Sequence, residues 1–284
     1  MSTSSRASLS HTSYGKSRIH LVRVTRHGDR HKVRDYTVAV AFEGSYDTSY
    51  TEGDNADVLP TDTVKNTVYA LAARDGVGEP EAFGMALGQH FIERNKKLDR
   101  VNIDVVDHGW DRITVGDREH GSAFVRRGPE QRTANVVTTR KGSTITGGVT
   151  DLLIMKTANS AFAGFPRDEY TTLPETLDRL FVTALTATWI YGETELDFAA
   201  MFQSVRTTLL ESFAQHESLS VQHTMYAMGQ VVLDTIDVVS SIRLEMPNRH
   251  HLPIDVTKFG IENRNEVFVA TEEPHGLIKA TISR

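Results

Sequence analysis

The segment 247-PNRHH-251 places an asparagine, an arginine and two histidines side by side near the end of the chain. Such side chains can donate and accept hydrogen bonds, and imidazole exchanges protons near neutral pH. The segment follows 242-IRLEM-246, whose alternation is typical of a strand. Because Pro and Asn also favour turns, the segment taken alone is interpreted as a solvated turn, and the rest of the chain has to decide.

A second pair of histidines, His27 and His31, lies in 26-RHGDRH-31. Their i, i+4 spacing would suit a metal ion if both lay on one face of a helix. The flanking residues instead predict a strand, a turn and a second strand. We therefore interpret the pair as part of a solvated turn and expect no metal site.

Composition excludes several classes of function. The chain of 284 residues has no cysteine, which excludes disulfides, thiolate nucleophiles and cysteine-based zinc sites. The formal charge of -6 makes nucleic acid an unsuitable partner. No apolar run approaches the roughly 20 residues that span a bilayer, so no membrane association is expected. A cytoplasmic location fits the missing cysteines, the absence of a signal peptide and an ATISR end that is not a Ser-Lys-Leu peroxisomal signal.

Hydrophobic periodicity predicts the elements of the first half. A hairpin is expected from Ile19 through 36-YTVAVAF-42, followed by a long acidic loop of unassigned role over residues 45–57. A helix with Val64, Val68 and Leu71 inward should end at Gly76, and a second should carry Phe83, Leu87 and Phe91. Strands are expected at 101–113 and 122–126.

The second half predicts the same order of elements. A hairpin-like region at 134–157 precedes 173-LPETLDRLFVTALTATW-189, which is interpreted as a helix. A longer helix should carry Phe198, Phe202, Val205, Leu209 and Phe213, and 238–246 should form a strand. We therefore predict an α+β fold in which a β-β-α-α-β-β unit occurs twice. The chain should comprise a disordered tail (1–13), a first unit (14–140) and a second unit (141–284).

A β-β-α-α-β-β unit leaves one sheet face and the sheet edges uncovered. We expect antiparallel sheets from several chains to join edge to edge in a barrel with the helices outside. Sites at the seams between chains would then collect residues from distant segments.

Five segments in fixed order carry a resemblance to a known family: 14-YGKSR-18, 59-LPTDTVKNTVY-69, 167-RDEYTTLPETLDR-179, 221-VQHTMY-226 and 247-PNRHH-251. With these motifs the chain closely resembles urate oxidases (uricases) from about Tyr14 to its end. The resemblance implies the tunnelling fold, a homotetramer with sites at subunit interfaces, and oxidation of urate by O2 to 5-hydroxyisourate and H2O2. No metal and no organic cofactor are implied.

The resemblance assigns four residues of the second half to urate binding. Phe162 matches the stacking phenylalanine, although an isolated phenylalanine would be read as core. Arg179 matches the arginine whose guanidinium donates two parallel hydrogen bonds to the anion, the alternative being a helix arginine paired with Glu175. The Gln222 amide and the Val221 backbone N–H match the family's contacts to the opposite edge of urate. The alternative is that Gln222 is simply a polar residue at the start of a helix that begins at Ser220.

The family's proton relay corresponds to Lys16, Thr61 and His250. Lys16 and Thr61 would exchange protons with urate and with a water above it, while an unrelated lysine here would simply be solvated. Thr61 and Asp62 would reach purine held by a neighbouring subunit, and either is also expected as a helix N-cap. Asn248, together with Thr61, would hold O2 or water over the purine. The resemblance therefore favours a functional role for the segment 247-PNRHH-251 over a solvated turn. Arg249 and His251 are assigned no role.

Two other functions compete. Zinc-dependent pterin enzymes have a related fold, but the missing cysteines and the absence of a tight three-histidine cluster count against them. A non-catalytic purine- or pterin-binding module would not need Lys16, Thr61 and His250.

Overall fold

The computed structural model describes residues 7–271 and 273–284. The chain forms two compact units: unit 1 runs to residue 128 and takes in 132–147, and unit 2 comprises 129–131 and 148–284. Of the predicted disordered tail, residues 1–6 lie outside the described part. Residues 7–13 contain no helix or strand, but the Thr12 carbonyl accepts a hydrogen bond of 3.3 Å from Tyr46 Oη. No helix in the described part is long and apolar enough to cross a membrane.

Unit 1 combines antiparallel strands with helices. Its elements are β1 (Tyr14–His27), β2 (Arg30–Gly44), α1 (Thr48–Thr51), α2 (Thr61–Arg74), α3 (Pro80–Arg94), β3 (Leu98–Asp107), β4 (Trp110–Val115), β5 (Arg118–Arg126), β6 (Gln131–Thr139) and the start of β7 (Gly142–Lys156). Its main sheet has the order β1-β2-β3-β6-β7, and β4 pairs with β5 as a separate hairpin.

The core of unit 1 follows from the two periodicities in the sequence. Alternate residues of β2 turn one face inward, and one stripe on each of α2 and α3 is apolar. The buried side chains are Tyr36, Val38, Val40, Phe42, Val64, Val68, Leu71, Phe83, Leu87 and Phe91. Each large one contributes about 1.5–3 kcal/mol by leaving water. The predicted hairpin and both helices are therefore confirmed, with Gly76 at φ +92° just after α2.

Unit 2 has the same mixture of elements. They are the remainder of β7, β8 (Phe181–Tyr191), α4 (Phe198–Gln215), α5 (Val221–Thr235), β9 (Val239–Asn248), β10 (His251–Pro253), a 3-10 helix (Thr257–Phe259), β11 (Phe268–Ala270) and β12 (Gly276–Ser283). The main sheet has the order β7-β8-β9-β12, and β10 pairs with β11. The long helix α4 and the strand β9 are confirmed.

The helix predicted over residues 173–189 is wrong. Residues 173–180 form an irregular segment in which Leu177 is 82% exposed, and Phe181–Tyr191 form strand β8. β8 is buried on both faces from Phe181 to Leu185, so the burial of its first half shows no alternation, whereas residues 186–191 alternate. Periodicity cannot distinguish such a run from a buried helix. The chain is nevertheless α+β with antiparallel sheets, as predicted.

Candidate active site

Unit 2 contains a pocket of about 440 Å³. This volume lies in the range of about 300–1,000 Å³ that is usual for small-molecule sites. All the site residues predicted in this unit line it: Phe162, Arg179, Val221, Gln222, Asn248 and His250. They come from four separate segments, so the pocket exists only in the folded unit.

The segment between β7 and β8 brings Phe162 and Arg179 together. The Phe162 N–H donates to the Thr176 carbonyl at 2.8 Å, and the Thr176 N–H donates back at 3.1 Å. This bridge folds the segment onto itself, and the Arg179 guanidinium carbon lies 5.3 Å from the centroid of the Phe162 ring. Phe165 stacks on the same ring at 4.9 Å. One aromatic ring and one cation therefore share a wall.

The charge of Arg179 is uncompensated within the described part of the chain. Its Nε is buried and has no hydrogen-bond partner there, and no described carboxylate forms an ion pair with it. Glu175, the alternative partner, instead accepts a hydrogen bond of 3.0 Å from the Gly164 N–H. Burial lowers the pKa of Arg179 from its ordinary value, but a guanidinium stays protonated in proteins. The pocket thus presents a cation to an anionic ligand.

The N-terminus of α5 forms another wall. The Ser220 hydroxyl caps the helix by accepting a hydrogen bond of 3.1 Å from the His223 N–H. Val221 and Gln222 are therefore the first two helical residues, whose N–H groups have no acceptor within the helix. Val221 is buried, whereas Gln222 is exposed and its amide is available to a ligand. The expectation that Ser220 starts a helix is confirmed and is compatible with binding.

The end of β9 supplies Asn248. In the sheet register Asn248 lies opposite Thr183 of β8 and Gly276 of β12, and it is 9% exposed. Its side-chain amide has no hydrogen-bond partner among the described residues although it lines the pocket. A nearly buried amide without a partner is costly unless a ligand or water completes it.

His250 lies between β9 and β10. Its carbonyl accepts hydrogen bonds from the Thr271 N–H at 2.9 Å and the Thr271 hydroxyl at 3.0 Å, which fix the backbone. Its imidazole has no hydrogen-bond partner in the described part of the chain. His251, to which no role is assigned, also lines the pocket, and its Nδ1 lies 3.1 Å from the Arg249 carbonyl.

Sequence reasoning missed the apolar walls of the pocket. These residues are Leu173, Pro174, Leu180, Leu252, Pro253, Phe268 and Ile278, and Asn265 adds a polar group. Most of them belong to short or irregular segments, where no periodicity marks a buried face. The Leu-Pro pair at 173–174 is the one signal in the sequence, and it suggests a helix start instead.

The remaining predicted residues, Lys16, Thr61 and Asp62, lie in unit 1. The Tyr14 hydroxyl accepts a hydrogen bond of 2.9 Å from the Leu59 N–H, which ties the start of β1 to the segment entering α2. Lys16 adjoins a bulge in β1, and its positive charge helps to lower the pKa of the Asp62 carboxyl. The motifs 14-YGKSR-18 and 59-LPTD-62 are thus brought together within one unit.

Gly15 allows the approach of β1 to β2 beside Lys16. A Cβ at position 15 would lie 1.9 Å from the Val40 carbonyl oxygen, far inside contact distance. Lys16 itself pairs with Val40 in the register, and the ladder shifts between Lys16 and Ile19. Bulges of this kind re-aim side chains.

The predicted capping role of Thr61 and Asp62 is wrong. The N-cap of α2 is Pro60, and no side chain caps the helix. The Asp62 carboxylate is instead bonded by Lys65 Nζ at 2.5 Å and Asn66 Nδ2 at 2.9 Å. The hydrogen bond and charge of Lys65 dominate the lowering of the Asp62 pKa. Thr61 and Asp62 are instead the first two residues of the helix, so their side chains lie beyond the N-cap position.

A group able to hold a metal ion occurs in unit 1 and not in the pocket. His20, Asp35 and His108 place their ligand atoms within 4.8 Å of one another, and they form the one such group in the described part of the chain. The pocket residues do not form one.

The pocket offers what a flat anion with hydrogen-bonding edges requires. The ring of Phe162 can stack on it, Arg179 can neutralise it, and Gln222 with the α5 N-terminus can bind its opposite edge. His250 also lines the pocket, and imidazole is a side chain that can exchange protons near neutral pH.

The comparisons with known proteins agree with this chemistry. A uricase family model matches residues 12–137 and 145–279. The uricase of Arthrobacter globiformis is 42% identical over 283 residues, covering 100% of this chain and 92% of the relative. The uricase of Dictyostelium discoideum is 36% identical and covers 98% of both chains.

Solved structures agree as well. The crystal structure of the Arthrobacter globiformis uricase has a TM-score of 0.94 and 42% identity, covering 99% of this chain and 96% of that chain. A Bacillus sp. TB-90 urate oxidase structure, at 23% identity and a TM-score of 0.84, shares the fold. Since the family model spans most of the chain and these relatives are 36% and 42% identical over nearly its whole length, this chain belongs to the uricase family.

Proposed function

We propose that the chain oxidises urate with O2 and water to 5-hydroxyisourate and H2O2, without a metal or organic cofactor. The observation that carries this proposal is the uncompensated Arg179 guanidinium beside the Phe162 ring, in a pocket whose remaining polar wall is an amide and a helix N-terminus. Urate is a planar anion with carbonyl and N–H groups on its edges. Each side chain has a matching function in binding it.

In this proposal urate stacks on Phe162 and receives two hydrogen bonds from Arg179. Gln222 and the Val221 N–H bind the opposite edge. A bidentate, charge-assisted pair fixes both the position and the rotation of the ring. The remaining face of the purine is left for O2 or water, held by Asn248 and Thr61.

The reaction begins with a proton transfer. Bound urate monoanion loses a second proton to the relay of Lys16, Thr61 and His250, and the resulting dianion passes one electron to O2. The urate radical and superoxide combine at C5, and a proton from the relay gives the C5 hydroperoxide. The hydroperoxide group then leaves C5 as HOO⁻ and takes a second proton from the relay to become H2O2. Water adds its hydroxyl to C5 and returns that proton to the relay. Urate, O2 and water are balanced by 5-hydroxyisourate and H2O2.

The assembly is part of the proposal. We propose two tandem tunnelling-fold units, 14–140 and 141–284, in a homotetramer whose sheets close a barrel with the helices outside. The separate family-model matches at 12–137 and 145–279 support the duplication. Lys16, Thr61 and Asp62 of one subunit then serve the pocket of another.

The first experiment measures urate absorbance, O2 uptake and H2O2 release together, using purified protein after exhaustive chelation. Equal consumption of urate and O2 with H2O2 as product supports the proposal. Urate binding without turnover would indicate a binding module. Activity that returns only with an added metal would contradict the cofactor-free reaction.

A second experiment tests the shared site. Lys16→Met and Arg179→Gln variants are denatured together, refolded as a mixture and compared with each variant refolded alone. If one subunit supplies Lys16 and another Arg179, mixed tetramers contain intact sites and regain part of the activity. A mixture no more active than its components would place the whole site in one chain.

A further inference from the structure

A polar cluster in unit 1 has no role in the proposed reaction. His20 lies on β1 and Asp35 on the neighbouring strand β2, and His108 directly follows β3, the next strand of the sheet. His20 Nε2 is 2.6 Å from Asp35 Oδ1, and the two imidazole rings are 5.5 Å apart. We propose that this cluster binds one divalent transition-metal ion of the Zn²⁺ or Co²⁺ type, which joins the three strands.

The donor set selects the class of ion. Two imidazoles and one carboxylate suit zinc and its neighbours, whereas Mg²⁺ and Ca²⁺ prefer oxygen ligands. Ligands at about 2.0–2.1 Å in a tetrahedron lie roughly 3.3 Å apart. The pair His20 and Asp35, now 2.6 Å apart, has to open by roughly 0.7 Å, the difference between 3.3 and 2.6. His20 can do so because its side chain is 58% exposed.

The surroundings of the cluster orient the ligands. Asp35 is 3% exposed, and its second oxygen, Oδ2, accepts hydrogen bonds from Trp110 Nε1 at 2.9 Å and Arg126 Nη1 at 2.8 Å. These bonds hold the carboxylate in place and leave Oδ1 directed at His20. Outer-shell partners of this kind raise metal affinity because they fix the ligand geometry.

His108 is held in a similar way. Its Nε2 lies 2.7 Å from the Thr37 hydroxyl, and its backbone N–H donates to the Asp35 carbonyl at 2.9 Å. The ligand atoms of His20, Asp35 and His108 lie within 4.8 Å of one another, so an imidazole nitrogen of His108 is near an ion that the other two would hold. The neutral imidazole is the form in which a histidine binds a metal ion.

Arg126 is the main opposing charge. Its guanidinium already pairs with Asp35, so an ion adds positive charge next to a cation. The Arg126 side chain is 44% exposed and therefore partly screened by water. Exposed His20 also leaves one side of the cluster open, so water can complete a fourth position. The result is a reversible structural site, independent of urate oxidation.

Trp110 provides a local measurement of binding. The chain has two tryptophans, and Trp110 donates to the carboxylate that would bind the ion, whereas Trp189 is buried in unit 2. Untagged protein, stripped with a chelator, is titrated with Co²⁺ while tryptophan fluorescence and visible absorption are recorded. We expect saturable quenching with one ion per chain. In a Trp110→Phe variant the remaining emission should stay constant.

Matched histidine variants locate the site. His20→Ala should weaken Co²⁺ binding by at least about 10-fold, the lower limit for losing even an outer-shell partner. His27→Ala, at another exposed histidine of β1, should bind as the unaltered protein does. Calorimetry with Zn²⁺ on the same three proteins gives the stoichiometry.

The outcomes separate clearly. Quenching that saturates, disappears with Trp110→Phe and weakens only in His20→Ala supports the site. Absence of quenching at millimolar Co²⁺, or equal binding by His20→Ala and His27→Ala, overturns it. Urate turnover is not used as a measurement, so failure of the proposed reaction and failure of this site remain distinguishable.

Discussion

The pocket in unit 2 and the Asp35 cluster in unit 1 are both polar and partly buried, but they differ in how their polar atoms are bonded. In the pocket, neither Arg179 Nε nor the side-chain amide of Asn248 has a hydrogen-bond partner among the described residues. In the cluster, both oxygens of Asp35 accept hydrogen bonds from other side chains. The first arrangement costs stability until a ligand arrives, and the second contributes stability without one.

This difference distinguishes residues that bind a ligand from residues that stabilise the fold. Polar groups without partners in a concave pocket are matched to a ligand, while groups that are already paired fix the strands. Substitutions in the pocket should therefore change catalysis or binding and leave unfolding nearly unchanged. Substitutions at Asp35 should do the reverse.

The largest effect is expected for Lys16→Met. The variant should lose roughly 10²- to 10⁴-fold in kcat, the range for a general acid–base group, because methionine cannot exchange protons. Urate affinity, measured anaerobically, should change little. Lys32→Met, at an exposed lysine on β2, is the control and should be fully active. Equal loss of binding and turnover would refute the role of Lys16.

A smaller effect is expected for Arg179→Gln. Hydrogen bonds to a charged group contribute about 1.5–3 kcal/mol, so the Kd for urate should rise by roughly 10- to 150-fold. The Tm of the protein without ligand should be unchanged or slightly raised, because a buried cation is removed. Arg243→Gln, at an exposed arginine on β9, serves as the control. A marked loss of stability would show that Arg179 has a structural partner.

Asp35→Asn should affect folding instead. Breaking a buried ion pair costs about 3–5 kcal/mol, but Arg126 is partly exposed and can be solvated, so we expect a loss near 2 kcal/mol in the free energy of unfolding. Denaturant titration measures it, and Asp117→Asn in the exposed turn after β4 is the control. Urate affinity should stay the same. A change in affinity would show that the Asp35 cluster and the pocket are energetically coupled.

The smallest effect concerns pH. Burial alone would raise the pKa of Asp35, but hydrogen bonds from Trp110 and His20 and the nearby positive charge of His20 and His108 bring it below its ordinary 3.8. Its stabilisation is therefore complete above pH 3.8 and is lost as the pH falls through the lower folded-state pKa. Between pH 6 and pH 3 the unaltered protein should lose more unfolding free energy than Asp35→Asn. Equal losses would contradict this linkage.

Much of the fold could be predicted because its elements have clear periodicity. α2, α3 and α4 each present one apolar stripe, and β2 alternates, so their sequences mark both type and buried face. β8 was missed because burial on both faces removes the alternation over its first five residues, Phe181 to Leu185. The missed strand shows that tertiary burial, and not local propensity, decides such segments.

The site was predictable only through motifs. Phe162, Arg179, Gln222, Asn248 and His250 lie in one pocket, but nothing in their spacing shows this. They converge through the Phe162–Thr176 bridge and the ends of α5 and β9, which are long-range contacts. The His20, Asp35 and His108 cluster was missed for the same reason, because its members are adjacent only in the sheet.

Gly15 has a consequence for mutational scanning. With the Val40 oxygen 1.9 Å from where a side chain would begin, every substitution at position 15 forces β1 and β2 apart. In a survival screen of all single variants, Gly15 would look as intolerant as its neighbour Lys16. The yield of folded protein distinguishes the two positions. Variants at Gly15 would be lost because little folded protein accumulates, whereas variants at Lys16 would fold but lose turnover.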